Sequence, residues 1–186
     1  MKKHFLTRSS LLLLLLLVLN SFSLYADNED DEPDVRDLTF KERVYVGGSL
    51  GLQISNFATF VDVSPMVGYR LTNRLSSGIG LKYQYYHEKL IGYGTHVYGG
   101  SVFAKALIIP QAFIYGEFET LNLEAPYFRE NSGDRFWEQN YFAGLGFRQQ
   151  IGPKAFFNIM LLYNFNDDSF VYFQNPIFRF SIEIGL

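Results

Sequence analysis

Cysteine is absent from the 186 residues, which rules out disulfide bracing and also removes the thiol on which a lipoprotein leader carries its lipid. Tryptophan occurs once, and charged residues make up only 19% of the chain. The formal net charge of −3 conceals an asymmetry: Lys2, Lys3 and Arg8 open the chain, while Asp27, Glu29, Asp30, Asp31, Glu32, Asp34 and Asp37 crowd together further on. The remainder is close to neutral. No basic face is available to release counterions from a phosphate backbone, so nucleic acid is excluded as a partner class. Long apolar runs are missing too. The longest, 11–19, holds nine Leu and Val residues, whereas a spanning helix needs about twenty.

That run nevertheless has a reading. A basic start, a short apolar stretch and a polar segment ending in Ala26 are the parts of a secretory signal peptide, expected to span 1–26 and to be cleaved after Ala26. Residues 27–42 follow as an acidic segment containing Pro33. It has too little apolar surface to order itself and is expected to be a flexible periplasmic tail.

The rest, 43–186, is one domain by length. Its aromatics are abundant, with 19 Phe and 13 Tyr, and favour pleated, half-buried surfaces. A mean hydropathy of +0.00 with 48% hydrophobic residues means that apolar and polar positions interleave, as strands require. Eight alternating segments can be drawn: 43–54, 59–71, 75–86, 93–108, 111–123, 139–151, 155–165 and 177–186. In the last, Phe178, Phe180, Ile182, Ile184 and Leu186 share one face, and Arg179, Ser181, Glu183 and Gly185 the other. The third opposes Ile79, Leu81, Tyr83 and Tyr85 to Gly78, Gly80, Lys82 and Gln84; the second opposes Val61, Val63, Val67 and Tyr69 to Asp62, Ser64, Gly68 and Arg70. This period of two is the mark of a β-strand. Pro65 lacks a ladder donor and predicts a local irregularity. Every second connection is tight (72–74, 109–110 and 152–154), and the others (55–58, 87–92, 124–138 and 166–176) are longer. The fold class is therefore all-β, an eight-stranded antiparallel up-and-down transmembrane barrel with short periplasmic turns, longer external loops and both termini periplasmic. Closure removes the strand edges that a membrane cannot satisfy. A soluble lipocalin-like barrel has the same alternation with the opposite sidedness; the secretory leader and the glycines accompanying inner charges favour the membrane form.

The repeated phrase Val67-Gly68-Tyr69-Arg70-Leu71-Thr72-Asn73-Arg74-Leu75, followed by Gly78-Ile79-Gly80-Leu81-Lys82-Tyr83, resembles a strand, turn and strand of the small OmpA/OmpX-type outer-membrane barrels of Gram-negative envelopes. Residues 178–186 resemble the terminal strand by which such proteins are recognised for assembly, although this chain ends in Leu186 where many members end in Phe. The resemblance covers about 43–186. It implies outer-membrane lipid and the barrel-assembly machinery as partners. It fixes location more than activity, since the family includes anchors, adhesins and a few lipid-modifying enzymes.

Candidate chemistry is sparse. Asp62, Arg70, Lys82, Lys105, Glu117, Glu119, Arg148, Arg179 and Glu183 are assigned to the inner face, nearly balanced in sign. Charges in so narrow a lumen need partners, so these residues are expected to pair, fill the barrel and leave no open pore. His87 and His96 flank the second external loop with Ser101 and Glu88 nearby, but no triad motif accompanies them, and no catalytic residue is assigned. Asn164, Asn166, Asp167 and Asp168, and separately Glu130, Asp134 and Glu138, are oxygen-rich without the spacing of a calcium loop; no metal or cofactor is assigned. Tyr127, Phe128, Phe136, Trp137 and Tyr141 suggest an aromatic girdle at a lipid interface. The leading expectation is a structural or interaction barrel. The alternatives are an outer-leaflet lipid-modifying enzyme and a small transport or secretion component that uses its periplasmic tail.

Overall fold

The computed structural model describes residues 34–54, 58–89, 92–124, 135–166, 168–169, 171 and 175–186. The segment read as a leader lies outside them, as do residues 27–33. Eight strands, β1 (Val44–Ile54), β2 (Ala58–Arg70), β3 (Leu75–Glu88), β4 (Tyr93–Ile109), β5 (Ala112–Glu124), β6 (Arg135–Gly152), β7 (Ala155–Asn164) and β8 (Ile177–Gly185), follow one another round a closed antiparallel barrel. Each strand pairs with its chain neighbours, and β8 closes on β1 through Tyr45↔Gly185 to Gly48↔Ile182. The all-β barrel expected from the period of two is the fold observed.

Alternation sets which side chains meet in the lumen. Along β7, Asn158, Met160, Leu162 and Asn164 are buried while Ile159, Leu161 and Tyr163 are exposed. Around the lumen, bulky inward residues face glycines across the sheet. The Tyr45 ring occupies the place where a side chain on Gly68 would begin, 2.0 Å from the ideal Cβ position, and Phe113 does the same at Gly146 at 2.2 Å. Tyr45, Phe103, Phe113, Tyr115, Phe142, Met160 and Leu162 thereby form a buried cluster.

The tight connections have local causes. After β2, the Thr72 hydroxyl accepts from the N–H groups of Arg74 (3.2 Å) and Leu75 (2.9 Å), a side-chain-closed turn. Register shifts at Leu107/Ile109 and Gln150/Gly152 sit beside Pro110 and Pro153, bulges at a barrel rim where pairing ends. At Pro65 the ladder to β3 skips from Val63↔Tyr83 to Met66↔Gly80 and resumes in the same register. The expected irregularity is thus a gap with no slip.

Three boundaries differ from the sequence reading by two residues or more. β3 runs to Glu88 and β6 begins at Arg135, so the connections taken as 87–92 and 124–138 shorten to 89–92 and 125–134. Phe136 and Trp137 extend the ladder by pairing with Leu123 and Asn122. The stretch assigned to a flexible tail is also structured from Asp34 onward: a 3-10 turn (Val35–Asp37) and one helical turn (Phe40–Arg43) precede β1. Val35 is buried and its N–H donates to Asn73 Oδ1 at 2.9 Å. Thr39 and Glu42 form a capping box, whose hydrogen bonds hold the Glu42 carboxyl below its usual pKa. Long-range docking supplies what the acidic composition lacks.

Because the Tyr45 ring stands where a Gly68 side chain would start, we expect Gly68→Ala to destabilise the barrel by about 1–3 kcal/mol through overpacking. Gly116→Ala, whose nearest neighbour is the Phe142 carbonyl at 3.9 Å, should stay within about 0.5 kcal/mol of the parent, as surface changes do. Equilibrium urea unfolding of both variants checks the contrast.

Candidate functional site

The inner face concentrates the charged groups, and the strands that bear them decide who meets whom. Lys82 Nζ on β3 reaches Glu119 Oε2 on β5 at 3.2 Å. On β4 between them, Gly99 is the register partner of Lys82 and Ser101 that of Glu119. Lys105 Nζ on β4 meets Glu183 Oε2 on β8 at 2.5 Å, linking opposite walls of the barrel. Arg179 on β8 pairs with Glu117 on β5. Each of these side chains is no more than 17% exposed.

Aromatic faces complete the surroundings of the cations. Lys105 Nζ lies 5.0 Å from the centre of the Tyr45 ring and 5.3 Å from that of Phe113. The Arg179 guanidinium lies 5.2 Å from Phe142, within cation–π range. Between the pairs is a cavity of about 50 Å³, lined among others by Ser101, Met160 and all six paired side chains. About 10–15 Å³ of such space holds one water, so the cavity suits a few waters or a small ion.

The remaining inner-face candidates take other surroundings. Asp62 accepts from Ser64 Oγ at 2.7 Å and Gln84 Nε2 at 2.6 Å. Arg148 Nε donates to the Pro110 carbonyl at 2.5 Å, and its guanidinium lies over Phe156, which places it at the turn end of the barrel. Arg70 approaches Gly185 at the same end.

Glu138, a loop acid by sequence, is a buried inward residue of β6. Its Oε1 accepts from Ser169 Oγ at 2.7 Å and Asn140 Nδ2 at 3.0 Å. Asn164 Nδ2 donates to Asn140 Oδ1 at 2.9 Å, and Asn164 Oδ1 accepts from the N–H groups of Tyr141 and Asn166. Asn164 and Asn166 are thus bound into an amide network in the loop half of the lumen, where Glu138 pairs in register with Leu121 of the buried apolar cluster Val97, Leu121 and Leu123. The alternation of Trp137, Gln139 and Tyr141 with Glu138, Asn140 and Phe142 was the available signal. Among the described residues no group of three or more His, Asp or Glu side chains could hold a metal ion; Glu130, Asp134 and Asp167 lie outside them.

The two histidines lie on the outer face. The Tyr83 hydroxyl is 2.8 Å from His96 Nδ1, and the Tyr85 ring lies between His96 (4.9 Å) and His87 (6.2 Å). Ser101 lines the lumen, on the opposite face of β4 from His96, so the two do not converge. Trp137 and Tyr141 are exposed near the loop end with Tyr83, Tyr98 and Tyr163, forming an outward aromatic band; Tyr127 and Phe128 lie outside the described residues. No family model matches the chain, and no curated protein matches it.

Removing one member of a buried pair strands the other. We expect Glu183→Gln to destabilise by about 3–5 kcal/mol, and the double change Lys105→Met with Glu183→Leu to recover most of that loss. Urea unfolding of the single and double variants measures the coupling.

Proposed function

We propose that this chain is an integral outer-membrane β-barrel with a structural or interaction role, exported by a cleaved signal peptide and closed to conduction by the charged side chains of its lumen. The observation that carries the reading is the polarity of the two faces. Leu50 (84% exposed), Leu81 (67%) and Ile79 (62%) face outward, while Asn140 and Asn158 are wholly buried inside. Each large apolar side chain left in water forgoes ~1.5–3 kcal/mol of burial. An apolar belt round the entire barrel is far larger than the few hundred Å² at which exposed patches mark an interaction surface. Hydrocarbon is the environment that matches it, and a closed ladder leaves no edge for hydrocarbon to desolvate. A lipocalin-like binder would carry the opposite polarity.

The same reading places the short turns and both ends of the barrel in the periplasm, with the β1–β2, β3–β4, β5–β6 and β7–β8 connections outside. Three ion pairs among the described residues, across a lumen with room for a few waters, argue for a plug, because eight strands enclose little more than side chains. The reading assigns no catalysis: His96 and Ser101 occupy opposite faces of β4.

Membrane fractionation with gel mobility of unheated and boiled samples tests the proposal. We expect recovery with the outer membrane, a shift in mobility on boiling, and no conductance steps when the barrel is reconstituted in a planar bilayer. Soluble periplasmic recovery with unchanged mobility would refute the membrane assignment, and reproducible channel steps would refute the plug.

A further inference from the structure

We propose that the outward patch around Arg135 binds a phosphate monoester carried on an outer-leaflet glycolipid. The inference rests on the membrane reading above and assigns a ligand to a part of the surface that reading leaves unexplained. Arg135 opens β6 at the loop end and is exposed on the outer face. Its guanidinium is held in place. Nε donates to Asn122 Oδ1, Nη2 donates to the carbonyl oxygens of His96 (2.7 Å) and Asn122 (2.8 Å), and the group lies over the Tyr98 ring, 4.5 Å from its centre.

Every one of these acceptors is neutral. Among the described residues no carboxylate lies within ion-pair distance of Arg135; Glu124, opposite it in register, accepts instead from Thr95 Oγ1 at 3.1 Å. A cation on a lipid-facing surface is costly unless an anion compensates it. A guanidinium whose rotamer is already fixed loses little further entropy on binding one, and its planar fork matches phosphate oxygens. Other donors stand beside it. His96 carries an exposed imidazole oriented by the Tyr83 hydroxyl, and His87 stacks on Tyr85 at the same rim. Towards the middle of the barrel the same face continues into Val102 and Phe118, which are paired in register and exposed. A polar cradle at the rim with an apolar track below it fits a molecule with a phosphorylated head and acyl chains.

Trp137 is the chain's single tryptophan. It is 61% exposed and lies two positions from Arg135 on the same face, so its emission reports on the patch. The barrel is folded into phosphatidylcholine vesicles containing small amounts of a phosphorylated diglucosamine glycolipid, or its dephosphorylated counterpart, each brominated on its acyl chains. We expect the phosphorylated lipid to quench Trp137 at ~10-fold lower mole fraction, the size of one charge-assisted contact. Arg135→Gln should abolish that preference, Arg135→Lys should keep part of it, and Tyr98→Leu, which removes the ring under the guanidinium, should weaken it even if Arg135→Gln fails to fold. Equal quenching by the two glycolipids, or a preference unchanged in folded Arg135→Gln, overturns the proposal. Displacement of the glycolipid by inorganic phosphate at no more than the glycolipid's own concentration also overturns it, and identifies free phosphate as the ligand. If brominated phosphatidylcholine alone leaves Trp137 unquenched, it is the membrane reading that has failed.

Discussion

The β8 strand is where the barrel closes, and its hold on β1 is short. Only Tyr45 to Gly48 pair with Ile182 to Gly185, whereas β1 and β2 pair along the whole of β1. Beyond that seam β8 depends on its other edge with β7 and on charge. Arg179 and Glu183, four residues apart on its inner face, reach Glu117 on β5 and Lys105 on β4, so two ion pairs tie the closing strand to the far wall. At the turn end, Lys154 Nζ donates to the Leu186 carbonyl at 2.8 Å, and the Leu186 N–H donates to the Val44 carbonyl at 3.1 Å. Buried ion pairs often add little net stability, because desolvation opposes the attraction. Here their geometry adds register: the charges meet only if β8 is neither slipped nor reversed, since a one-residue slip would turn both charges outward.

That constraint explains the composition of the rest of the lumen. A strut from β3 to β5 crosses β4 at small residues, Gly99 opposite Lys82 and Ser101 opposite Glu119. Along its length the lumen changes character. Rings stacked against glycines fill the turn half, with Tyr45 against Gly68 and Phe113 against Gly146. Asn140, Asn164 and Glu138 close the loop half by amide and carboxylate hydrogen bonds. The barrel is packed by different chemistry at each level, and most of its buried polar groups are answered internally, as a narrow interior requires; Asn158 Oδ1 and Arg179 Nη2 are buried atoms that accept or donate no hydrogen bond among the described residues.

Much of this is legible from residue order. Alternation places Lys82, Lys105, Glu117, Glu119, Arg179 and Glu183 on one face because the strand period is two, and a period requires only local sequence. Partner choice is not local. Lys105 and Glu183 are 78 positions apart, and which carboxylate a lysine meets depends on stagger between strands, which no single segment encodes. The start of β6 was obscured for a related reason: Arg135, Glu138 and Gln139 look like loop polarity until the register shows Glu138 facing a buried serine and Arg135 facing outward onto a tyrosine. Residues 34–43 were obscured because their order comes from Asn73, on a distant turn.

A lumen so occupied moves the question of function to the outside. The paired charges already satisfy one another, so a ligand entering the lumen would have to break a buried pair, at a cost of several kcal/mol for each charge left unpartnered. The outer face carries no such penalty over most of its area, since its aliphatic residues are interchangeable toward any apolar surroundings. It departs from that uniformity at the loop end, where Arg135, His96, His87 and the tyrosines about them put hydrogen-bonding groups on a surface otherwise built from Leu, Ile, Val and Phe. Polar groups fixed in orientation on an apolar surface discriminate among neighbours, because a neighbour that cannot answer them leaves them unsatisfied. On the membrane reading proposed above, selectivity therefore belongs to the rim and the connections above it, and the interior serves to hold that rim in shape.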